Sequence, residues 1–241
     1  MKLVSATRVD ASSWRQSVRS LLVTLAPRRR LIASGSPTSA SVCLTFDDGP
    51  DPEGTPRVLD ALRHANARST FFLQGNHASL HPALVSRIVA EGHELGHHSW
   101  THGAPSMTSA AMLADEVVRT RAYLQSVSGV DSKLFRPPHG KVTMSKLRRL
   151  WALQQTVVLW SVDPGDVFQT SPGAFISWFE QHPPRPGDII LLHDKAPVLA
   201  AALPAVLDLI RQRGLSFATV GDIVGRLANA SPIVSTAEET Q

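Results

Sequence analysis

Short apolar runs alternate with longer amphipathic segments along most of the chain, starting at residue 42. The runs are rich in β-branched and aromatic residues, which predicts strands. They lie at 42–46, 69–73, 94–96, 134–136, 157–162, 189–192 and 216–218. The segments between them carry apolar residues at helical spacing. They predict helices at 55–66, 81–91, 108–127, 143–153, 172–181 and 198–213.

This succession of strand-then-helix units predicts an α/β fold. Parallel strands joined by helical crossovers produce such a pattern. Because no linker interrupts residues 41–229, we expect one domain there: a single deformed (β/α) barrel of about seven parallel strands, one short of the regular eight. We expect residues 1–40 to form a basic, partly ordered extension and residues 230–241 a flexible tail.

The distribution of charge changes the first impression of a basic protein. The 241 residues carry a net charge of +4, but residues 1–40 alone carry +6, so the remaining residues carry −2. A domain with this balance lacks the basic face that nucleic-acid binding requires, and we expect no nucleic-acid partner. Residues 12–27 are open to two interpretations: a basic amphipathic helix in peripheral contact with a membrane, or part of the extension.

Other compositional features limit the location and the class of protein. No apolar stretch is long enough for a transmembrane helix, and the single cysteine, Cys43, excludes an internal disulfide framework. The N-terminal segment lacks the apolar core of a secretion signal, so we predict a bacterial cytoplasmic protein.

Polar, chemistry-bearing residues follow five of the predicted strands. In a parallel barrel these strand ends meet at one edge, where active sites lie. The residues are Asp47 and Asp48; His97, His98 and His102; Arg136 and His139; Asp163 and Asp166; and His193 and Asp194.

Two of these groups suggest a metal site. The adjacent carboxylates of Asp47 and Asp48 repel each other unless a cation compensates them. His98 and His102, four residues apart, can converge on one ion. Nitrogen and oxygen ligands favour one divalent ion such as zinc, with cobalt, nickel or manganese as alternatives.

Five ordered motifs then carry a resemblance to a known family. They are Leu44-Thr-Phe-Asp-Asp-Gly-Pro50, His98-Ser-Trp-Thr-His102, Arg136-Pro-Pro-His-Gly140, Asp163-Pro-Gly-Asp166 and Ile190-Leu-Leu-His193. Together they resemble the motifs of NodB-like polysaccharide deacetylases, which form carbohydrate esterase family four. The resemblance covers about residues 40–227.

The resemblance implies a deformed barrel and a role for each residue of the motifs. By this likeness Asp47 is the general base and His193 the general acid, whereas Asp48, His98 and His102 hold the metal. The supporting roles fall to other residues. Arg136 would hold Asp47 ionised, Asp163 would tune His193, the backbone N–H of His139 would bind the oxyanion, and Pro138 and Leu191 would line the substrate site.

The activity that the resemblance implies is metal-dependent removal of acetyl groups from N-acetylglucosamine units of an oligo- or polysaccharide, with release of acetate. The partner is therefore an N-acetylated carbohydrate. Two alternatives stay open at this point: an O-acetyl esterase acting on xylan or an exopolysaccharide, and a catalytically inactive carbohydrate-binding relative. The presence of both Asp47 and His193 argues against the inactive relative, since binding alone requires neither a base nor an acid.

Overall fold

The computed structural model describes residues 30–229. Its strands are β1 (Leu31–Ile32), β2 (Ser41–Asp47), β3 (Thr70–Leu73), β4 (Glu94–His97), β5 (Leu134–Phe135), β6 (Thr156–Val158), β7 (Ile189–His193) and β8 (Ser216–Phe217). Its helices are α1 (Gly54–His64), α2 (Gly75–Leu80), α3 (Pro82–Ala90), α4 (Ala110–Ser128), α5 (Met144–Ala152), α6 (Pro172–Gln181), α7 (Leu199–Gln212) and α8 (Val220–Asn229). Two 3₁₀ turns lie at Pro138–Gly140 and Asp166–Phe168.

The strands form one parallel sheet that curls into a deformed barrel. Seven strands run in the order β1-β6-β5-β4-β3-β2-β7, and β8 pairs with β2. A parallel bridge between Val162 and Ile190 links the segment after β6 to β7 on the far side of the sheet. The predicted α/β barrel of about seven parallel strands is therefore confirmed.

The alternating faces of β2 explain how this strand serves both the core and the site. Val42, Leu44 and Phe46 point away from the barrel and pack in the cluster beneath the helices. Successive strand residues point to opposite faces, so Thr45 and Asp47 point into the barrel. One strand thus buries apolar side chains on one face and places polar ones in the interior on the other.

Helix α7 shows how the outer layer is attached to the sheet. Leu203, Val206, Leu207 and Ile210 recur three and four residues apart, and all four side chains are buried. This apolar stripe covers the outer face of the sheet. After the helix, Gly214 has a φ of 72°, the left-handed conformation that glycine adopts readily after a helix end.

The sheet begins earlier than the sequence indicated. Strand β1 lies in the segment predicted as an extension, and Leu31 pairs with Val157 of β6. Arg30 and Trp151 reinforce this pairing, because each side chain donates a hydrogen bond to the other's carbonyl oxygen, at 2.6 and 3.0 Å. The folded part therefore starts before residue 41. Residues 1–29, with the helix considered over 12–27, and the tail from residue 230 lie outside the described residues.

Two helices were not predicted. Helix α2 has only six residues, too few for a clear periodicity. Helix α8 does carry a signal at its start: Thr219 and Asp222 form reciprocal side-chain to backbone hydrogen bonds of 3.0 and 3.2 Å, as in a capping box. Among the described residues, no helix combines the length and the apolar character needed to cross a bilayer.

Candidate active site

The candidate site lies at the carboxyl ends of β2, β4, β5 and β7. Asp47 and His193 end β2 and β7 and lie side by side in the parallel register. His97 ends β4 and pairs with Phe135, so His98 and Arg136 follow directly after two neighbouring strands. The structure therefore places these four residues at the carboxyl edge of the sheet, where the strand-end rule predicted them.

Asp47 is held by a fully buried guanidinium group. Arg136 Nη1 donates to Asp47 Oδ1 at 2.7 Å and to Thr45 Oγ1 at 2.7 Å. Its Nε and Nη2 donate to the carbonyl oxygens of Val158 and Leu159 at 3.3 and 3.1 Å. Burial lowers the pKa of Arg136 and the partner Asp47 opposes that shift. An arginine retains its charge under these conditions, so it provides Asp47 with a permanent counter-ion.

Asp48, His98 and His102 form a group that fits a metal ion. Their candidate ligand atoms all lie within 4.8 Å of one another. Asp48 Oδ1 is 3.6 Å from His98 Nε2 and 3.4 Å from His102 Nε2. His98 Nδ1–H donates to the carbonyl oxygen of Arg136 at 2.7 Å, which fixes the tautomer and leaves Nε2 as the ligand atom. Two imidazoles and one carboxylate are the donor set of a borderline divalent ion with open positions.

The protonation states of this group also suit a metal. Burial lowers the pKa of His98, and it lowers the pKa of His102 to about 4. Burial raises the pKa of Asp48, but the hydrogen bond from Lys195 and the two imidazoles outweigh it and hold the pKa well below its usual range. At neutral pH both imidazoles are therefore neutral and the carboxylate is ionised, as metal ligation requires.

Three further side chains position Asp48, and none of them was predicted from the sequence. Gln74 Nε2 donates to Asp48 Oδ1 at 2.8 Å, and His77 Nδ1 donates to the Asp48 carbonyl oxygen at 2.8 Å. Lys195 Nζ lies 2.8 Å from Asp48 Oδ2. Gln74 directly follows β3, so the strand-end rule could have found it; no sequence signal indicated His77 or Lys195.

His193 pairs with Asp166, not with Asp163. His193 Nδ1 donates to Asp166 Oδ1 at 2.9 Å, and the His193 backbone N–H donates to Asp166 Oδ2 at 2.6 Å. Gly165, just before Asp166, has a left-handed φ of 64°, which glycine adopts readily. Asp163 Oδ1 instead accepts the Gly165 backbone N–H at 3.0 Å. The tuning role predicted for Asp163 is therefore corrected in favour of Asp166.

The pair holds His193 in its charged form. Burial lowers the pKa of His193, but the hydrogen bond to Asp166 and the negative charges of Asp166, Asp47 and Asp48 outweigh burial and raise the pKa to about 9. His193 is therefore protonated at neutral pH. Because Nδ1 is bound to Asp166, the proton on Nε2 is the one available for transfer.

The remaining predicted residues lie around these groups. The exposed His139 has a φ of 57°, and its ring centroid is 4.6 Å from that of His102. Pro138 is buried beside it, and Leu191 of β7 is 6% exposed on the interior face of the strand that ends in His193. Their predicted roles in oxyanion and substrate binding stay predictions.

A family model described as polysaccharide deacetylase matches residues 34–158, more than half of the chain. The chain belongs to the polysaccharide deacetylase family. The match includes Asp47, Asp48, His98, His102 and Arg136 and ends before Asp166 and His193. Deacetylases of this family are metal-dependent, which agrees with the Asp48–His98–His102 group.

Individual relatives support the same assignment. A peptidoglycan-N-acetylglucosamine deacetylase of Bacillus cereus is 39% identical over 135 residues, covering 55% of this chain and 48% of the relative. This match thus spans about half of the relative's length. A chitooligosaccharide deacetylase of a Bradyrhizobium species is 39% identical over 158 residues, covering 65% of this chain and 72% of the relative. A crystal structure of a peptidoglycan N-acetylglucosamine deacetylase in complex with a benzamide compound is 30% identical with a TM-score of 0.78, over 81% of this chain and 93% of that one.

Proposed function

We propose that this protein is a metal-dependent hydrolase that removes acetyl groups from N-acetylglucosamine units of an oligo- or polysaccharide and releases acetate. The observation that carries the proposal is the arrangement around the Asp48–His98–His102 group. The carboxylate of Asp47 and the protonated imidazole of His193 end neighbouring strands beside it. Hydrolysis of an amide requires such a base and acid together.

On the base side, Asp47 is arranged to accept a proton at one defined atom. Arg136 occupies Oδ1, whereas Oδ2 faces the metal group, 3.8 Å from His98 Nε2. Oδ2 is therefore the atom that takes the proton of the attacking water. The guanidinium group keeps the carboxylate oriented before the reaction.

On the acid side, His193 is arranged to donate a proton to the leaving group. An amine leaves poorly unless it is protonated as the bond to carbon breaks. Asp166 fixes the ring through Nδ1, so Nε2–H is directed to the leaving nitrogen. The raised pKa of about 9 means that this proton is present at neutral pH.

Asp48, His98 and His102 would hold the divalent ion, which we propose to be zinc. When bound, such an ion polarises the carbonyl oxygen and lowers the pKa of a water molecule, so that a nucleophile is available at neutral pH. We also propose that the backbone N–H of His139 donates to the developing oxyanion. Pro138 and Leu191 would provide the apolar wall against the acetyl methyl group.

One curated relative described above is named a peptidoglycan-N-acetylglucosamine deacetylase and the other a chitooligosaccharide deacetylase, and these names favour amide over ester substrates. O-acetyl esters depend less on an acid such as His193, because an alkoxide leaves more easily than an amine. The cytoplasmic location stays a prediction; it would favour a soluble oligosaccharide or a lipid-linked precursor as the substrate.

The test is acetate release from N-acetylated chito-oligosaccharides. We expect EDTA to abolish activity, Zn²⁺ or Co²⁺ to restore it, and Asp47→Asn to lower kcat by about a hundredfold or more, since the proton acceptor is lost. Asp208→Asn is the matched control: it changes an exposed aspartate on α7 and should leave kcat unchanged. Activity that persists in both EDTA and Asp47→Asn would refute the mechanism. Preference for a matched acetyl ester over the amide would point to the esterase instead.

A further inference from the structure

The two adjacent carboxylates of the site are each paired with a different cation of the protein. Asp47 lies 2.7 Å from Arg136 Nη1, and Asp48 Oδ2 lies 2.8 Å from Lys195 Nζ. The four charges therefore balance without any bound ion. This balance matters for a site that also takes a divalent ion, because the ion must bind next to an ammonium group.

The backbone that carries Lys195 is fixed against the loop that carries Asp48. Ala196 N–H donates to the His193 carbonyl oxygen at 2.9 Å and closes a turn around Asp194 and Lys195. The Asp194 carboxylate is buried, accepts the Thr55 hydroxyl, and packs so closely on Gly49 that a Cβ there would overlap it. Lys195 is thus held beside Asp48 by the packing of the turn.

The two oxygens of Asp48 have different partners. Oδ1 faces the Nε2 atoms of His98 and His102 and accepts from Gln74 at 2.8 Å. Oδ2 is turned towards Lys195. Asp48 is therefore positioned to offer a single oxygen to an ion, which keeps further coordination positions open for water and substrate.

We propose that Lys195 is a positioning residue that sets the cation affinity of the site, by holding Asp48 Oδ2 and by placing a positive charge beside the bound ion. The inference rests on the proposed metal-dependent function. Arg136 is buried and binds four oxygens, whereas the Lys195 side chain is 43% exposed and has one carboxylate partner. Lys195 can therefore be exchanged without disrupting the core. Its ammonium group repels a divalent ion and weakens binding compared with a neutral side chain of similar length.

The experiment measures the dissociation constant of Co²⁺ for the chelator-treated full chain, by competition with a chromophoric chelator. We expect Lys195→Met to bind Co²⁺ about tenfold more tightly or better, and Lys195→Arg to stay near the wild-type value because it keeps the charge. Lys133→Met is the matched control, because it removes the same charge from an exposed lysine at the amino end of β5, away from the carboxyl ends where the site lies. It should leave the dissociation constant of Co²⁺ unchanged.

Thermal unfolding gives a second measurement that does not depend on activity. At one fixed concentration of Co²⁺, tighter binding produces a larger rise in melting temperature over the EDTA-treated sample. We expect a larger rise for Lys195→Met than for the wild type. An equal or smaller rise, with an unchanged or weaker dissociation constant, overturns the role of Lys195 while leaving the site itself intact.

The outcome also separates this proposal from the proposed function. A wild-type protein that binds Co²⁺ and loses it in Asp48→Asn supports the site, and the Lys195 variants then decide the further proposal. A wild-type protein that binds no Co²⁺ at all overturns both.

Discussion

The two flanks of the candidate site use the same chemical pair in opposite ways. On one side Asp47 is bound to Arg136, and on the other His193 is bound to Asp166. In the first pair the cation is permanent, and the carboxylate is the proton acceptor that we propose. In the second pair the carboxylate anchors the ring, and the imidazolium is the proton donor that we propose.

The difference follows from which partner is anchored by the fold. Arg136 is fully buried, and two backbone carbonyl oxygens and the Thr45 hydroxyl accept its hydrogen bonds, so these contacts hold its side chain in one orientation. Asp166 is equally buried and accepts the backbone N–H of His193 as well as its ring. In each pair the anchored group, Arg136 or Asp166, is fully buried and binds the side chain that we propose to exchange a proton. Mutation of the anchored groups therefore tests the comparison directly.

The largest effect is expected at Arg136. Arg136→Met leaves the buried Asp47 carboxylate without a counter-ion, which we expect to lower the free energy of unfolding by about 3–5 kcal/mol. Urea denaturation measures this. The double variant Asp47→Asn/Arg136→Met should recover part of the loss, because no unpaired charge is then buried. A single variant within about 1 kcal/mol of the wild type would contradict the view of Arg136 as an anchor.

The second effect is a change in pH dependence at the other flank. The pKa of His193 is raised to about 9, so the proton donor is present below this pH and is lost as the pH rises through it. Asp166→Asn removes the main cause of the raised pKa. We expect the alkaline fall of kcat/KM to move at least about one pH unit lower, towards the ordinary histidine value of about 6.5. A pH–rate profile measures the shift.

Asp163→Asn is the matched control for this comparison. Asp163 binds the Gly165 backbone N–H and does not contact His193, so its variant should move the alkaline limb less than Asp166→Asn does. An equal or larger shift in the Asp163 variant would restore the role that the family resemblance indicated for it.

These two aspartates also show where prediction from sequence ended. The strand-end rule placed Asp47, His98, Arg136 and His193 at the same edge of the sheet. The choice between Asp163 and Asp166 depends on the backbone angles of the Pro164–Gly165 turn. Those angles depend on local packing and leave no mark in the periodicity.

The same limit applies to the fold and to the surroundings of Asp48. The barrel was predictable because apolar runs alternate with helices that are long enough to show a period. Strand β1 was missed because its two residues lie inside a basic segment, before this alternation begins. Gln74 could have been found from the end of β3. Lys195 could not, because its contact with Asp48 is set by the packing of Asp194 against Gly49 and Thr55, a tertiary arrangement.

The smallest effect is expected at Thr45, which supports the Asp47 flank alone. Its hydroxyl donates to the Ile190 carbonyl oxygen at 2.6 Å and accepts from Arg136 Nη1 at 2.7 Å. Thr45→Val keeps the shape but removes both bonds, so we expect a loss of about 1–2 kcal/mol in the free energy of unfolding, measured with urea. Thr45→Ser keeps the hydroxyl and should lose less. Because Thr45 does not contact His193 or Asp166, the alkaline limb of kcat/KM should stay in place in both variants. A shifted limb would mean that the two flanks are coupled through the barrel interior and do not act separately.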